Sequence, residues 1–209
     1  QLGCLIRIYL TLLYIYYNKM ERISAHLLAK DEKMFKKVLK ESTYYFEWGA
    51  GGSTALAAEC KNIGKIITVE SDKEWIQKMT MYITNLDDIT FIHNEMDTRP
   101  KDWGNPGNNA TNTQKRNYSD RIMEQTDAND IDLILIDGRF RVACALKAHA
   151  VISDNCVIAF DDYLDRQHYH IIEYYYEIID RGDRMVLLQK IPDVIPPPEL
   201  ISEYELKKD

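Results

Sequence analysis

Short apolar runs alternate with amphipathic stretches from Ser24 to Lys190, and the alternation predicts strands separated by helices. In Ser24–Glu41, Leu27, Leu28, Met34, Phe35, Val38 and Leu39 recur among lysines at the spacing of an amphipathic helix. The run from Tyr44 to Trp48 ends in Gly49-Ala50-Gly51-Gly52, and Ala55–Glu59 continues as helix. Lys65–Glu70 is a β-branched strand ending in an acid. Asp72 then caps a helix over Lys73–Thr84 with Trp75, Ile76 and Met79 facing inward, and Ile89–His93 is a third strand. Ile131–Gly138 is apolar on both faces, which puts it at the centre of a covered parallel sheet. A helix over Arg139–Ile152 and a buried strand over Asn155–Phe160 follow, then a helix over Gln167–Tyr174. Tyr175–Asp180 and Arg184–Lys190 flank Arg181-Gly182-Asp183 as an antiparallel hairpin.

Three regions frame this pattern. Residues 1–20 are an apolar segment, 21–190 a single α/β domain, and 191–209 a tail that opens on Pro196-Pro197-Pro198 and holds a short helix at most. Leu2–Tyr17 is apolar except for Arg7 and Thr11, but its 16 residues fall short of the roughly 20 that span a bilayer. A helix packed on the domain and a membrane contact through residues 2–17 both stay open. Asn94–Gln114 is long and rich in Asn, Gly and Pro, so it reads either as a flap anchored by Trp103-Gly104 over the site or as a disordered insertion.

At 209 residues and 45% hydrophobic, the chain can bury one good core and has little room for a second domain. A net charge of −7 leaves no excess of cations to follow a phosphate backbone, so a nucleic-acid partner is not expected. Cys4, Cys60, Cys144 and Cys156 are scattered and form no C-x-x-C, which reads as reduced thiols in a cytoplasmic protein.

The candidate chemistry begins at Glu47-Trp48-Gly49-Ala50-Gly51-Gly52-Ser53-Thr54. Gly49 and Gly51 permit backbone angles closed to other residues and a close approach of ligand to main chain. Ser53 or Thr54 is expected to cap the helix, whose free N–H groups would face the ligand. A dinucleotide fingerprint would need a third glycine where Thr54 stands and an apolar residue where Glu47 stands, which disfavours a nicotinamide-dependent reductase. The acid-x-Gly-x-Gly pattern instead resembles the first motif of the class I S-adenosylmethionine-dependent methyltransferases. That resemblance implies that the glycine turn runs along the methionine part of S-adenosylmethionine and that Glu47 helps hold its amino group. Glu70 lies 21 positions after Gly49, the spacing at which a carboxylate grips ribose hydroxyls.

Further phrases agree. Val69-Glu70-Ser71-Asp72, the run Asp132–Leu146 with its Asp-Gly-Arg-Phe-Arg-Val-Ala-Cys-Ala-Leu core, and Asp161-Asp162-Tyr163 together resemble a group of class I methyltransferases over roughly Ser24–Lys190. The resemblance implies a Rossmann-like, doubly wound, mostly parallel seven-stranded sheet closed by an antiparallel hairpin strand. It also implies a cofactor set of Glu47, Gly49, Gly51, Ser53, Glu70 and Asp137. A looser likeness to catechol O-methyltransferase-type enzymes implies that Asp137, Asp161 and Asp162 could hold Mg²⁺, although Asp-Asp stands here where that family has Asp-Asn.

Ligands of open α/β sheets collect beyond the carboxyl ends of the strands, so Glu47, Glu70, Asp137, Asp161 and Asp162 are expected to converge there around something positive. Asp161 and Asp162, then His168, are the candidate bases for removing an acceptor proton. Arg139 and Arg141 could clamp an anionic acceptor or pair with the aspartates. The sequence thus points to a methyltransferase acting on a small molecule, with O-methylation favoured. The competing reading is a fold that binds cofactor without catalysis and serves as an interaction subunit.

Overall fold

The computed structural model describes residues 23–99 and 102–207, and the apolar segment 2–17 lies outside the described residues. Seven strands form one sheet in the order β3-β2-β1-β4-β5-β7-β6. They are β1 (Tyr44–Trp48), β2 (Lys65–Glu70), β3 (Ile89–His93), β4 (Leu133–Ile136), β5 (Val157–Phe160), β6 (Tyr176–Arg181) and β7 (Val186–Lys190). The first five run parallel, and β7 runs antiparallel to β5 with Phe160 opposite Val186. This is the α/β Rossmann-like sheet expected from the alternation, with the reversed strand at its C-terminal end.

Helices cover both faces. On one side lie α1 (Ala29–Leu39) and α2 (Gly52–Ala58), and α3 (Lys73–Tyr82) links β2 to β3. Phe35 and Leu39 of α1 pack there with Tyr45, Leu133, Leu135 and Ala159, the residues the central strands turn to that face. The other face carries α4 (Asn112–Asp120), α5 (Arg141–Val151), a 3₁₀ segment over Gln167–Tyr174 and α6 (Pro198–Tyr204). Phe46, Trp48, Ile134, Ile136, Ile158 and Phe160 fill that core with the buried stripe of α5. β4 and β5 bury all but one of their residues, as strands covered on two sides must.

Several expectations are corrected. Helix α1 starts at Ala29, because Leu28 is extended with ψ 159° and residues 23–28 run as irregular chain towards the site. The helix read over Gln167–Tyr174 forms with those bounds, in 3₁₀ geometry. Asn94–Gln114 is neither structureless nor a simple insertion. Thr98 bridges Pro106, Asp97 accepts from Asn109 N–H at 2.9 Å, and Thr111 caps α4 by accepting from Gln114 N–H. The tail docks through Glu205, which pairs with buried Lys147 of α5 and with Arg116 of α4 at 3.3 Å. Cys144 and Cys156 are buried and Cys60 is half-buried. Among the described residues no helix is long and apolar enough to cross a membrane.

The tips of β1 and β4 approach until only glycine fits between them. Gly49 has φ +97°, and a Cβ there would lie 2.9 Å from Gly138 N. Gly49→Ala is therefore expected to destabilise the fold by at least ~1–3 kcal/mol from backbone strain alone. Urea unfolding reads this as a lower midpoint with an unchanged m-value.

Candidate functional site

A cavity of about 790 Å³ lies beyond the carboxyl ends of β1, β2, β4 and β5. Its wall holds the glycine turn, Glu70, Asp137, Asp161 and Asp162, so these expected residues do converge. Glu47 and His168 are not on it.

Glu47 is fully buried beneath the turn. Its Oε2 accepts from Tyr45 Oη and from Ser53 Oγ, each at 2.7 Å, and its Oε1 accepts from Thr54 Oγ1. Burial raises its pKa against those hydroxyl donors. The carboxylate thus braces the turn from below and is not on the cavity wall. One other detail of the turn differs from expectation: Gly51 is extended at φ −175°, a conformation open to any residue, and it is the N-cap position itself. Ser53 and Thr54 sit in the first turn of α2 with their hydroxyls donated down to Glu47, and Thr54 Oγ1 also accepts from Gly51 N–H at 2.9 Å, so Thr54 closes the N-terminus of the helix as expected. The start of α2 is covered by chain: a Cβ on Gly52 would stand 2.1 Å from Ala25 N.

Glu70 ends β2 on the cavity wall at 8% exposure. Oε1 accepts from Ser71 N–H at 2.6 Å and Asp72 N–H at 2.9 Å, which fixes the side chain, while Oε2 has no hydrogen-bond partner among the described residues. Burial raises its pKa against those amides. An orientated carboxylate with one oxygen unused suits a vicinal diol such as ribose. Asp72 caps α3 as expected, accepting from Glu74 and Trp75 N–H at 2.9 and 3.0 Å. Trp75 lines the cavity and donates Nε1–H to Ala50 O at 2.7 Å.

Asp137, Asp161 and Asp162 bring one carboxylate oxygen each to within 4.8 Å of one another. Three arginines interleave with them. Arg141, 2% exposed, reaches Asp137 at 3.1 Å and Asp162 at 3.3 Å, and donates to Asp161 O at 2.7 Å. Arg166 meets Asp162 at 2.9 Å. Arg184 grips both oxygens of Asp161 at 3.1 Å. Asp162 itself has φ +55°, a left-handed backbone uncommon outside glycine, which aims its side chain back into this cluster.

The donor set a Mg²⁺ ion would need is therefore engaged by guanidinium groups, and a divalent cation there would lie beside three fixed positive charges. These residues do not fit a resident Mg²⁺. The electrostatic balance also tunes Asp161. Burial first, then the charges of Asp137 and Asp162, push its pKa up to about 7 against the pull of Arg184 and Arg141. Asp137 is raised mainly by burial as well.

Two segments form the roof. Residues 23–27 cross above the glycine turn, and Trp103-Gly104-Asn105 come over Glu70, where a Cβ on Gly104 would lie 3.0 Å from Ser71 Oγ. The two meet edge to face at His26 and Trp103, with ring centroids 5.7 Å apart. Trp103-Gly104 thus does sit over the site as its flap reading required. Arg139 lies beneath Asn105, bonded to its Oδ1 at 3.3 Å, and buried Tyr118 supports the Asp137-Gly138 turn.

Sequence reasoning missed Arg166, Arg184, Tyr118 and residues 23–27. For Arg184 a signal existed: extending the Phe160–Val186 register by two residues sets Arg184 opposite Asp162. His168 falls away because the 3₁₀ segment turns it outward, exposed and against the Tyr169 ring at 4.4 Å.

No protein-family model matches the sequence, and no curated protein matches it either. Among solved structures it is similar to a methyltransferase-like protein from Silicibacter pomeroyi, with 26% identity and a TM-score of 0.78 over 88% of this chain and 98% of that one. A tRNA methyltransferase from Aquifex aeolicus matches at 16% identity and TM-score 0.52, over 83% of this chain and 73% of that one. Human Methyltransferase-like protein 13 in complex with SAH matches at 12% identity and TM-score 0.51, over 85% and 90%. The last two likenesses concern the fold. The strand order, the glycine turn and the acid after β2 define a methyltransferase-type α/β fold. The chain has the fold of the class I S-adenosylmethionine-dependent methyltransferase superfamily, which it shares over most of its length with the methyltransferase-like protein.

Because Asp161 holds its proton more tightly when folded, the native state carries more protons than the unfolded chain between about pH 4 and 7. Native stability from this group is therefore highest below pH 4 and falls as pH rises to about 7. The melting temperature of Asp161→Asn minus that of the wild type is expected to grow more positive across that window and level off above it. Scanning calorimetry at pH 4.5, 6 and 8 provides the check.

Proposed function

We propose that the protein transfers a methyl group from S-adenosylmethionine to an oxygen of a small molecule, with Asp161 taking the acceptor's proton. The observation that carries this reading is one roofed cavity that brings the glycine turn, the half-used carboxylate of Glu70 and the raised-pKa carboxylate of Asp161 together.

When bound, S-adenosylmethionine supplies an electrophilic methyl group on a sulfonium. Glu70 Oε2 is available to the ribose hydroxyls, and the turn at Gly49–Gly51 to the methionine part. Gly51 supports this because a Cβ there would meet nothing within 4 Å, so the cavity side of the turn is open. Negative wall charge from Glu70 and Asp137 favours a cation. Asp137 faces the turn from β4, and its fixed partner Arg141 keeps it in place.

An acceptor hydroxyl that displaces one of the two Arg184 contacts on Asp161 would give its proton to a carboxylate whose pKa, about 7, matches neutral conditions for general base work. The acceptor oxygen, freed of its proton by Asp161, would then be the nucleophile towards the methyl group that the cofactor supplies when bound. The roof over the wall excludes water and limits the acceptor to what a cavity of this volume admits, which falls within the ~300–1,000 Å³ of small-ligand sites. The net charge of −7 supports the same choice over a nucleic acid. Mg²⁺ has no part in this reading.

S-adenosylhomocysteine is expected to raise the melting temperature and NAD to leave it unchanged. The reverse pattern would discard the cofactor assignment. Glu70→Ala should weaken S-adenosylhomocysteine binding by about tenfold or more in calorimetry, the loss of a charge-assisted pair of hydrogen bonds. Asp161→Asn should keep that affinity yet abolish transfer of labelled methyl groups to a metabolite extract, and EDTA should not slow the wild type. Label appearing in RNA and not in small molecules would refute the acceptor class.

A further inference from the structure

Residues 23–28 have no helix or strand of their own, yet they close the cavity from above. Two contacts hold them. Ser24-Ala25 main chain rests on Gly52, where a Cβ would approach Ala25 N to 2.1 Å and Ser24 C to 2.3 Å. The second is a hydrogen bond from Arg184 Nη2 to His26 O. The same Nη2 reaches Asp161 Oδ2 at 3.1 Å while Nε reaches Oδ1 at 3.1 Å.

Arg184 is itself anchored by the element that roots the covering segment. Asp31, in the first turn of α1 and fully buried, accepts from Asp183 N–H at 2.7 Å and from Arg184 and Met185 N–H at 3.3 Å. Gly182 leaves room for this carboxylate, since a Cβ there would fall 1.8 Å from Oδ1. The Arg184 carbonyl in turn accepts from Tyr163 N–H at 2.8 Å, which ties down the chain just after Asp162. One guanidinium thus bridges the hairpin, the floor acid and the roof.

We propose that Arg184 is a positioning residue that latches residues 23–28 over the glycine turn, so that the roof opens for ligand exchange only when the Arg184–His26 bond is released. The planar fork is what makes this possible. A guanidinium offers Nε–H and two Nη2–H donors in one rigid plane, enough to hold a carboxylate at both oxygens and a carbonyl beside it. An ammonium keeps the charge but cannot span the three acceptors. Gly52 supplies the seat, and the edge contact between His26 and Trp103 joins the latched segment to the flap from Trp103 to Asn105.

The latch is testable without any ligand, which keeps it separate from the methyltransferase reading on which its purpose rests. Hydrogen exchange by mass spectrometry on the unliganded protein compares wild type, Arg184→Lys and Gly52→Ala, with the β4 amides Leu133–Ile136 as the reference for global opening. Both variants should speed exchange in 23–28 by about tenfold or more while the β4 amides stay slow. Unchanged exchange of 23–28 in Arg184→Lys, or a rise spread equally over β4, overturns the proposal. A rise in Gly52→Ala alone overturns it too, because the segment would then be seated but not latched.

A second arm follows S-adenosylhomocysteine dissociation by stopped-flow tryptophan fluorescence. Both variants should release it at least about tenfold faster, with a smaller change in association. Equal release rates overturn the latch. Failure of the wild type to bind S-adenosylhomocysteine sinks the proposed function, and the exchange experiment still decides the latch.

Discussion

The structure depends on how negative side chains are made tolerable at the tips of a buried parallel sheet. Asp137, Asp161 and Asp162 lie at the ends of β4 and β5, where each would repel the others and resist leaving water. Arg141, Arg166 and Arg184 reach them from α5, from the start of the 3₁₀ segment and from the hairpin, so three elements converge to supply the compensating charge. The match is incomplete in one place. Asp161 remains the most desolvated of the three at 1% exposure, and its proton affinity stays high as a result. The cluster is therefore stable as a scaffold yet leaves one carboxylate in balance between its two protonation states.

The glycine turn shows the same economy with a different carboxylate. Glu47 is two positions from the cavity-lining Gly49, but its oxygens are engaged by Tyr45, Ser53 and Thr54, hydroxyls drawn from the strand before the turn and the helix after it. It ties β1 to α2 across the bend. Gly49 and Gly138 let the β1 and β4 tips close on each other, while Gly52 accepts the chain at Ala25. Three glycines at one site thus serve three different close approaches: to a strand tip, to a supporting tyrosine and to the roof.

Much of the architecture was legible in the sequence because it follows from local periodicity. β2 and β3 coincide with the runs read as strands, and the antiparallel hairpin follows from the turn at Arg181-Gly182-Asp183. Glu70 was legible from spacing and Asp137 from its position at a strand end. What stayed hidden depends on contacts distant in sequence. Glu47 and His168 have the right chemistry for a site, and only the hydrogen bonds around one and the exposure of the other remove them from the cavity. Residues 23–28 share the apolar pattern of the helix that follows, so periodicity extended that helix over a segment that tertiary contact with Gly52 and Arg184 holds extended. Trp103 was found because a large exposed aromatic in a polar loop is conspicuous; the arginines were not, because charged residues near strand ends are common.

Asp31 carries a consequence for how the molecule is assembled. Among the described residues its buried carboxylate accepts from amides of residues 183–185, more than 150 positions downstream. During synthesis on the ribosome those donors are absent until the final hairpin emerges, so burial of the Asp31 side chain against its partners waits for that hairpin. The walls from β1 to β5 can assemble beforehand, but the covering segment and Arg184 become fixed together. A nascent or partly truncated chain would accordingly present a bare groove where the finished protein has a roofed cavity.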